Sequence, residues 1–247
     1  MKILAIDIET SPNLAYVFAL WKQNISIDKI VDSTEMLCFA AKWLGEKEIL
    51  YYSLHHDGKD EMITQAYHLL NEADAVLHYN GKNFDVPHLN REFLQAGLKP
   101  PTPFKQIDLV HAARKQFRFP SNKLDYVSQA VGLKGKTKHE GFELWRKCME
   151  GDDKAWRTMR RYNIQDVRLL EQLYKKLLPW IPGHPNVALF EDGAEDVCPG
   201  CGSKDLAPQG FAVTQVSKFQ RYQCRKCGRW SRSGRRVAGV NIREIAS

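Results

Sequence analysis

Asp7 and Glu9 stand two residues apart at the end of the run Met1-Lys2-Ile3-Leu4-Ala5-Ile6-Asp7-Ile8-Glu9. The run is almost wholly apolar until the acids arrive, which predicts a central strand buried on both faces. Side chains alternate along a strand, so Ile3, Ala5, Asp7 and Glu9 share one face and Leu4, Ile6 and Ile8 the other. Two carboxylates therefore project side by side from a core strand, where unpaired charges are costly. A divalent cation is the simplest partner. Taken alone, the pair equally suits a solvated strand end, because Asp-x-Glu is common. A second place is Tyr162-Asn-Ile-Gln-Asp166, inside a helical stripe of Trp156, Met159, Asn163, Val167, Leu170, Leu173 and Leu177. An aspartate facing a core needs a partner, and Tyr162 lies one turn earlier on the same side. A third is Asn80-Gly-Lys-Asn-Phe84-Asp85-Val-Pro87. Pro87 suits a first helical turn, Asp85 by itself reads as an N-cap, and Phe84 reads as core.

The elements that must position these groups follow from periodicity and turn signals. Strands are predicted at 14–21, 36–44 and 48–54, as antiparallel neighbours of the first. A helix over 59–72 and a buried strand at 75–79 come next, then a helix to about Ala96 that Gly97 stops. A strand near 104–108 precedes helices near 109–117 and 123–131. A long helix over about 152–178 ends at Pro179. Strands first, then alternating strands and helices, give an α/β class: a mixed sheet covered by helices.

Together, the three places resemble the DEDD family of 3′→5′ exonucleases in its tyrosine branch. Asp7-Ile-Glu9-Thr10 matches the first motif. Asn80-x-x-x-Phe84-Asp85-x-Pro87 resembles the second as it occurs in the proofreading domain of family B DNA polymerases. Tyr162-x-x-x-Asp166 matches the third. Histidine-branch members carry His five residues before the last Asp, where this chain has Arg161. The resemblance covers about residues 1–180 and implies a ribonuclease H-like fold. It also implies two Mg²⁺ or Mn²⁺ ions, a hard-oxygen preference shared by any carboxylate site. Such ions, roughly 3.5–4 Å apart, can activate water and steady a leaving oxygen. On the family pattern Asp7 bridges both ions, Glu9 and Asp166 complete the site of the water-activating ion, and Asp85 holds the second, partly through water. Tyr162 orients the attacking water; an ordinary phenol pKa near 10 makes positioning its expected role. The resemblance places Thr10, Asn80 and Phe84 around the terminal nucleotide.

The 247 residues suggest one medium domain and a small one. The divisions expected are an exonuclease domain over 1–180, a linker over 181–196 and a ribbon over 197–247. No stretch has the length and apolarity of a membrane span, and Asp7 and Glu9 interrupt any signal-peptide core, so a cytoplasmic protein is expected. The length leaves no room for a polymerase, which predicts a free-standing nuclease. Cys38 and Cys148 read as plain thiols. His55, His56, His139 and His184 read as surface or structural histidines. Asp108 could support the sheet edge or the site, and Lys134, Lys136 and Lys138 form a basic loop.

Pro179-Trp-Ile-Pro-Gly-His-Pro185 marks the linker. Beyond it, Cys198-Pro-Gly-Cys201 and Cys224-Arg-Lys-Cys227 offer four thiolates to one structural Zn²⁺, and the segment resembles a zinc ribbon. Residues 198–247 carry ten Lys/Arg and two Asp/Glu, while 1–197 carry 26 and 27. The positive charge thus belongs to the tail. Phe219, Tyr222 and Trp230 lie among its cations, a mixture suited to single-stranded nucleic acid, with protein docking as the alternative. For the whole chain the expected activity is exonucleolytic hydrolysis of nucleic acid, single-stranded DNA before RNA. The alternatives are a structure-specific endonuclease on the same fold and a non-catalytic nucleic-acid-binding adaptor; retention of all four acids argues against the latter.

Overall fold

The computed structural model describes residues 1–135, 140–190 and 196–245. It forms two compact units, Lys2–Leu173 and Tyr174–Ser247, the latter joined by Met1. In chain order the first contains β1 Ile3–Thr10, β2 Leu14–Ala15, β3 Ile30–Asp32, β4 Met36–Trp43, β5 Leu50–Ser53, α1 Lys59–Glu72, β6 Ala75–His78, α2 Asp85–Gln95, β7 Lys105–Asp108, α3 Leu109–Gln116, α4 Leu124–Ala130 and α5 Phe142–Met149. The long helix α6, Asp153–Leu177, runs on into the second unit, which adds β8 Leu206–Val213, β9 Ser217–Cys224 and β10 Trp230–Gly239.

The main sheet has the order β5-β4-β1-β6-β7. β1 pairs antiparallel with β4 (Asp7 opposite Ala40, Glu9 opposite Cys38) and parallel with β6. It is the central strand, which is why it is apolar on both faces. Leu4, Ile6 and Ile8 join Met36, Phe39 and Ala41 beneath Met62, Ala66 and Leu70 of α1 and Leu89 and Phe93 of α2. Leu37 and Cys38 lie in a second cluster with Leu144 and Cys148 of α5 and Trp156, Met159 and Tyr162 of α6. The face carrying Asp7 and Glu9 is therefore the one that α6 covers. A Lys42–Glu171 ion pair, with both side chains largely buried, ties β4 to α6.

Three expectations change. Of the strand expected at 14–21, only Leu14–Ala15 is extended, paired with β3 in a separate two-stranded sheet. Tyr16, Phe18, Leu20 and Trp21 are exposed, Phe18 at 95%; without a neighbouring strand the apolar run has no ladder to join. β5 borders β4 rather than β1. A further helix, α5, lies where no element was expected. Gly141 and Gly151 bracket it, both at positive φ, and its Arg146 pairs with Glu143 and Glu150. Among the described residues no helix is long and apolar enough to cross a membrane.

The second unit is built on β10-β9-β8, an antiparallel sheet. Among its described residues outside the segment 174–181, the buried hydrophobic side chains are Cys198 and Cys224. Segment 178–190 is not a bare spacer. Arg229 donates from Nη1 to the Leu178 carbonyl at 2.7 Å and from Nη2 to the Ile181 carbonyl at 3.0 Å. A guanidinium fork thereby satisfies carbonyls freed where the helix ends. Val187 N–H reaches the Pro199 carbonyl at 2.9 Å. His184 stacks on Tyr174 and shares a 2.8 Å hydrogen bond with its hydroxyl. Replacing Arg229 by Ala should strand the Ile181 carbonyl and leave the Leu178 carbonyl only its 3.4 Å bond from Ile181 N–H; hydrogen exchange is expected to speed up over 178–190 by tenfold or more, corresponding to about 1.5–3 kcal/mol for a charged donor. Unchanged protection there would contradict this role.

Candidate active site

Asp7, Glu9 and Asp166 each place a carboxylate oxygen within 4.8 Å of the others. Strand alternation gives the first two their common direction. Asp166 comes from α6 across the sheet face and is 1% exposed. Like charges this close repel by about 3 kcal/mol per pair at an effective dielectric near 20, so the arrangement calls for a shared cation. Oxygen-only ligands suit Mg²⁺ or Mn²⁺.

Asn163 holds one of these acids. Its Nδ2 donates to Asp7 Oδ2 at 2.7 Å and to the Asp7 carbonyl at 3.1 Å. The amide is fully buried. The sequence showed its place in the apolar stripe, and a buried asparagine there was the signal of a specific polar partner.

Asp85 lies outside the three-acid group. It is the first residue of α2 rather than its N-cap, which is Phe84. The last β1–β6 pair is Ala5 with Leu77; farther along β1, Asp85 Oδ1 accepts the Ile8 N–H at 3.1 Å. The carboxylate thus grips the backbone between Asp7 and Glu9. Burial raises its pKa to about 6, partly offset by the His78 charge and the Ile8 hydrogen bond.

The loop from Tyr79 to Phe84 is shaped from below by Asp108, the end of β7. Its Oδ1 accepts from Asn80 N–H at 2.8 Å and caps α3 by accepting from Val110 N–H at 3.1 Å. Oδ2 accepts from Lys82 N–H at 3.3 Å and lies 3.4 Å from Nδ1 of the buried His78. Burial opposes ionisation of Asp108, but His78 and these amides outweigh it and hold its carboxyl below the ordinary value. Asn80 takes a left-handed φ of 68°, a conformation Asn tolerates. Gly81 permits the close turn: a Cβ there would sit 2.5 Å from His78 Cγ and 2.9 Å from Asp85 Oδ2.

Asp7, Tyr162 and Asn80 open onto one groove of about 630 Å³, with Tyr79, Arg114, Asn122 and Lys123 also on its walls. Tyr162 is nearly buried and meets Trp145 of α5 edge-on at 6.0 Å. Thr10 ends β1, half-buried, past a register shift after Glu9. Phe84 is not core: it is 40% exposed and packs edge-on against His88. His55 stacks on Trp156 and lies 3.0 Å from Asp153, and His56 bonds Ser53, so both are structural. Lys134 is exposed; Lys136, Lys138 and His139 fall outside the described residues. Burial holds the Cys38 thiol well above its usual pKa and raises that of Cys148 to about 11, as expected of inert thiols.

In the second unit Cys198, Cys201, Cys224 and Cys227 converge within 4.8 Å. The Cys198–Cys227 and Cys201–Cys224 sulfurs are 3.6 and 3.7 Å apart. A tetrahedron with metal–sulfur bonds of about 2.3 Å has edges of about 3.8 Å. Each knuckle closes alike: Gly202 N–H reaches the Cys198 carbonyl, and Gly228 N–H the Cys224 carbonyl. Both glycines take positive φ.

A family model described as RNase_H superfamily matches residues 4–178. The chain belongs to the RNase H superfamily. Among curated proteins it is similar to a DNA polymerase of Pyrococcus glycovorans, 26% identical over 206 residues that span 72% of this chain and 25% of that one. DNA polymerase 1 of Pyrococcus abyssi matches to the same extent. A DNA polymerase of Thermococcus litoralis is 26% identical over 208 residues, 12% of its length. The RNase H-type chain thus spans a quarter or less of the curated relatives it matches. The structure of the family B DNA polymerase from Pyrobaculum calidifontis superposes with a TM-score of 0.55 at 19% identity, over 72% of this chain and 24% of that one. It shares the fold. The acid cluster offers the oxygen-only ligand set that a divalent metal takes.

Asp108→Ala removes a helix cap worth about 1 kcal/mol and leaves the Asn80 and Lys82 amides without their acceptor. A loss of about 2–4 kcal/mol in urea unfolding is expected; a loss under 1 kcal/mol would show that the loop does not depend on it.

Proposed function

We propose that the chain is a metal-dependent 3′→5′ exonuclease that hydrolyses nucleic acid, preferentially single-stranded DNA, to nucleoside monophosphates. The observation that carries the reading is the convergence of Asp7, Glu9 and Asp166 beside Tyr162, which opens onto the same groove as Asp7. The three-motif resemblance supplies the direction of attack. Residues 1–180 form the catalytic domain, 181–196 the linker and 197–247 the ribbon.

Asp7, Glu9 and Asp166 would hold one divalent ion, and Asp85, which lies outside that group, would help to hold a second. Two Mg²⁺ or Mn²⁺ ions supply an activated water and charge stabilisation at the leaving oxygen. The protein's own groups do the rest. Asn163 fixes the Asp7 carboxylate. Asp85 locks the strand between the two ligands. Tyr162 hydrogen-bonds the attacking water and so orients it. Asn80, Thr10 and Phe84 contact the terminal nucleotide, for which the exposed ring of Phe84 is free to stack. Arg114 and Lys123 on the groove wall favour a polyanion. The four cysteines hold one structural Zn²⁺, with no open coordination position for catalysis.

Incubation of a 5′-labelled single strand with Mg²⁺ or Mn²⁺ should give a ladder shortening from the 3′ end, and Asp7→Ala should abolish it with the fold intact. Cutting of closed circular single strands would instead support an endonuclease, and metal-dependent binding without turnover an adaptor. Asn163→Ala removes the amide that bonds the Asp7 carboxylate and is expected to weaken Mn²⁺ binding by roughly 10–100-fold in an electron paramagnetic resonance titration. Wild-type affinity in that variant would show that Asp7 needs no such support.

A further inference from the structure

Strand alternation divides β9 between two faces. Phe219 and Arg221 point to one; Lys218, Gln220 and Tyr222 point to the other. Cross-strand register extends the division to β10, where Trp230 lies opposite Gln223, Arg232 opposite Arg221 and Arg236 opposite Phe219. Phe219, Arg221, Trp230, Arg232 and Arg236 therefore share one face of the sheet. The Arg232 guanidinium lies 3.9 Å from the Phe219 ring centre, and that of Arg221 lies 5.0 Å from the Trp230 ring centre. Three exposed arginines are thus interleaved with two aromatic rings, of which Trp230 is half exposed. From Leu206 to Gly239 the chain has eight Lys/Arg and no Asp or Glu. No carboxylate on these strands neutralises the face.

We propose that this one face, and not its reverse, is a docking surface for an unpaired strand of nucleic acid. The charge fits a polyanion, and the geometry selects which kind. Guanidinium forks match phosphate oxygens two at a time. Rings and the guanidinium groups lying over them offer flat surfaces to bases, which only an unpaired strand presents. An acidic polypeptide would use the charges and leave the rings idle. Among the described residues the reverse face carries Lys218 over Phe211 as its one such pair, 4.0 Å from the ring centre. The three arginines and Trp230 are exposed, so this surface is available for contact. The inference deepens the exonuclease reading by giving it a second hold on the substrate, and it rests on that reading for the identity of the strand.

The test uses the full chain with Asp7→Ala to block cleavage, and a fluorescein-labelled 20-nucleotide oligothymidine followed by anisotropy over a range of KCl. Replacing Arg221, Trp230 and Arg232 by Ala should weaken binding at least tenfold. It should also flatten the log–log salt slope by about 1.4, the value for two lost phosphate contacts on a single strand. Zinc content at one per chain confirms that the variant is folded. A charge-matched control, Lys218→Ala with Arg243→Ala, removes two cations elsewhere and should bind within twofold of the parent. Equal weakening in both would reduce the surface to diffuse charge and overturn the proposal. So would unchanged binding in the triple variant. Either result leaves the nuclease reading standing, because that reading depends on loss of cleavage in Asp7→Ala. A further check separates stacking from charge: Trp230→Phe should restore most of the affinity lost in Trp230→Ala, and failure to do so would count against base stacking.

Discussion

Repulsion among three carboxylates is the constraint around which the first unit is arranged. Asp7, Glu9 and Asp166 would separate if their backbones could give way. They are held because β1 is the middle strand of the main sheet and α6 is packed across it. Each supporting contact restrains the same strand. Asn163 grips the Asp7 side chain and carbonyl; Asp85 grips the Ile8 amide one residue on.

A second layer of contacts restrains the restraints. Asp108 gathers two loop amides and one helix amide, with His78 beside it. That fixes the path of the chain from Asn80 to Asp85, and hence where the Asp85 carboxylate points. Gly81 is required by the same crowding. The buried acids thus have unlike duties. Asp166 joins Asp7 and Glu9, Asp85 ties the strand that carries them, and Asp108 supports the loop that delivers Asp85.

The C-terminal unit solves a different problem. Among the described residues its three strands bury little apolar surface. The cysteine quartet converges in the same unit, with sulfur spacings close to those of a tetrahedral metal site. Arg229 closes the end of the long helix in the same unit. Arginine and aromatic side chains are left on the surface.

Much of this could be read from residue order alone, for a physical reason. Motifs on a regular strand or helix carry their side-chain directions with them, so Asp7 with Glu9, and Tyr162 with Asp166, were legible once the elements were assigned. The cysteine spacing was legible because each knuckle is a local turn. The apolar run at 14–21 misled because extended chain needs a neighbour to become a strand. Phe84 misled because hydrophobicity does not say which side of a helix start faces water. Tertiary structure alone decided the aim of the supporting polar groups: Asn163 meets Asp7 across 156 residues of chain and Asp85 meets Ile8 across 77. Contacts that distant leave no periodic trace, since they depend on how whole elements pack and not on the spacing within any one of them.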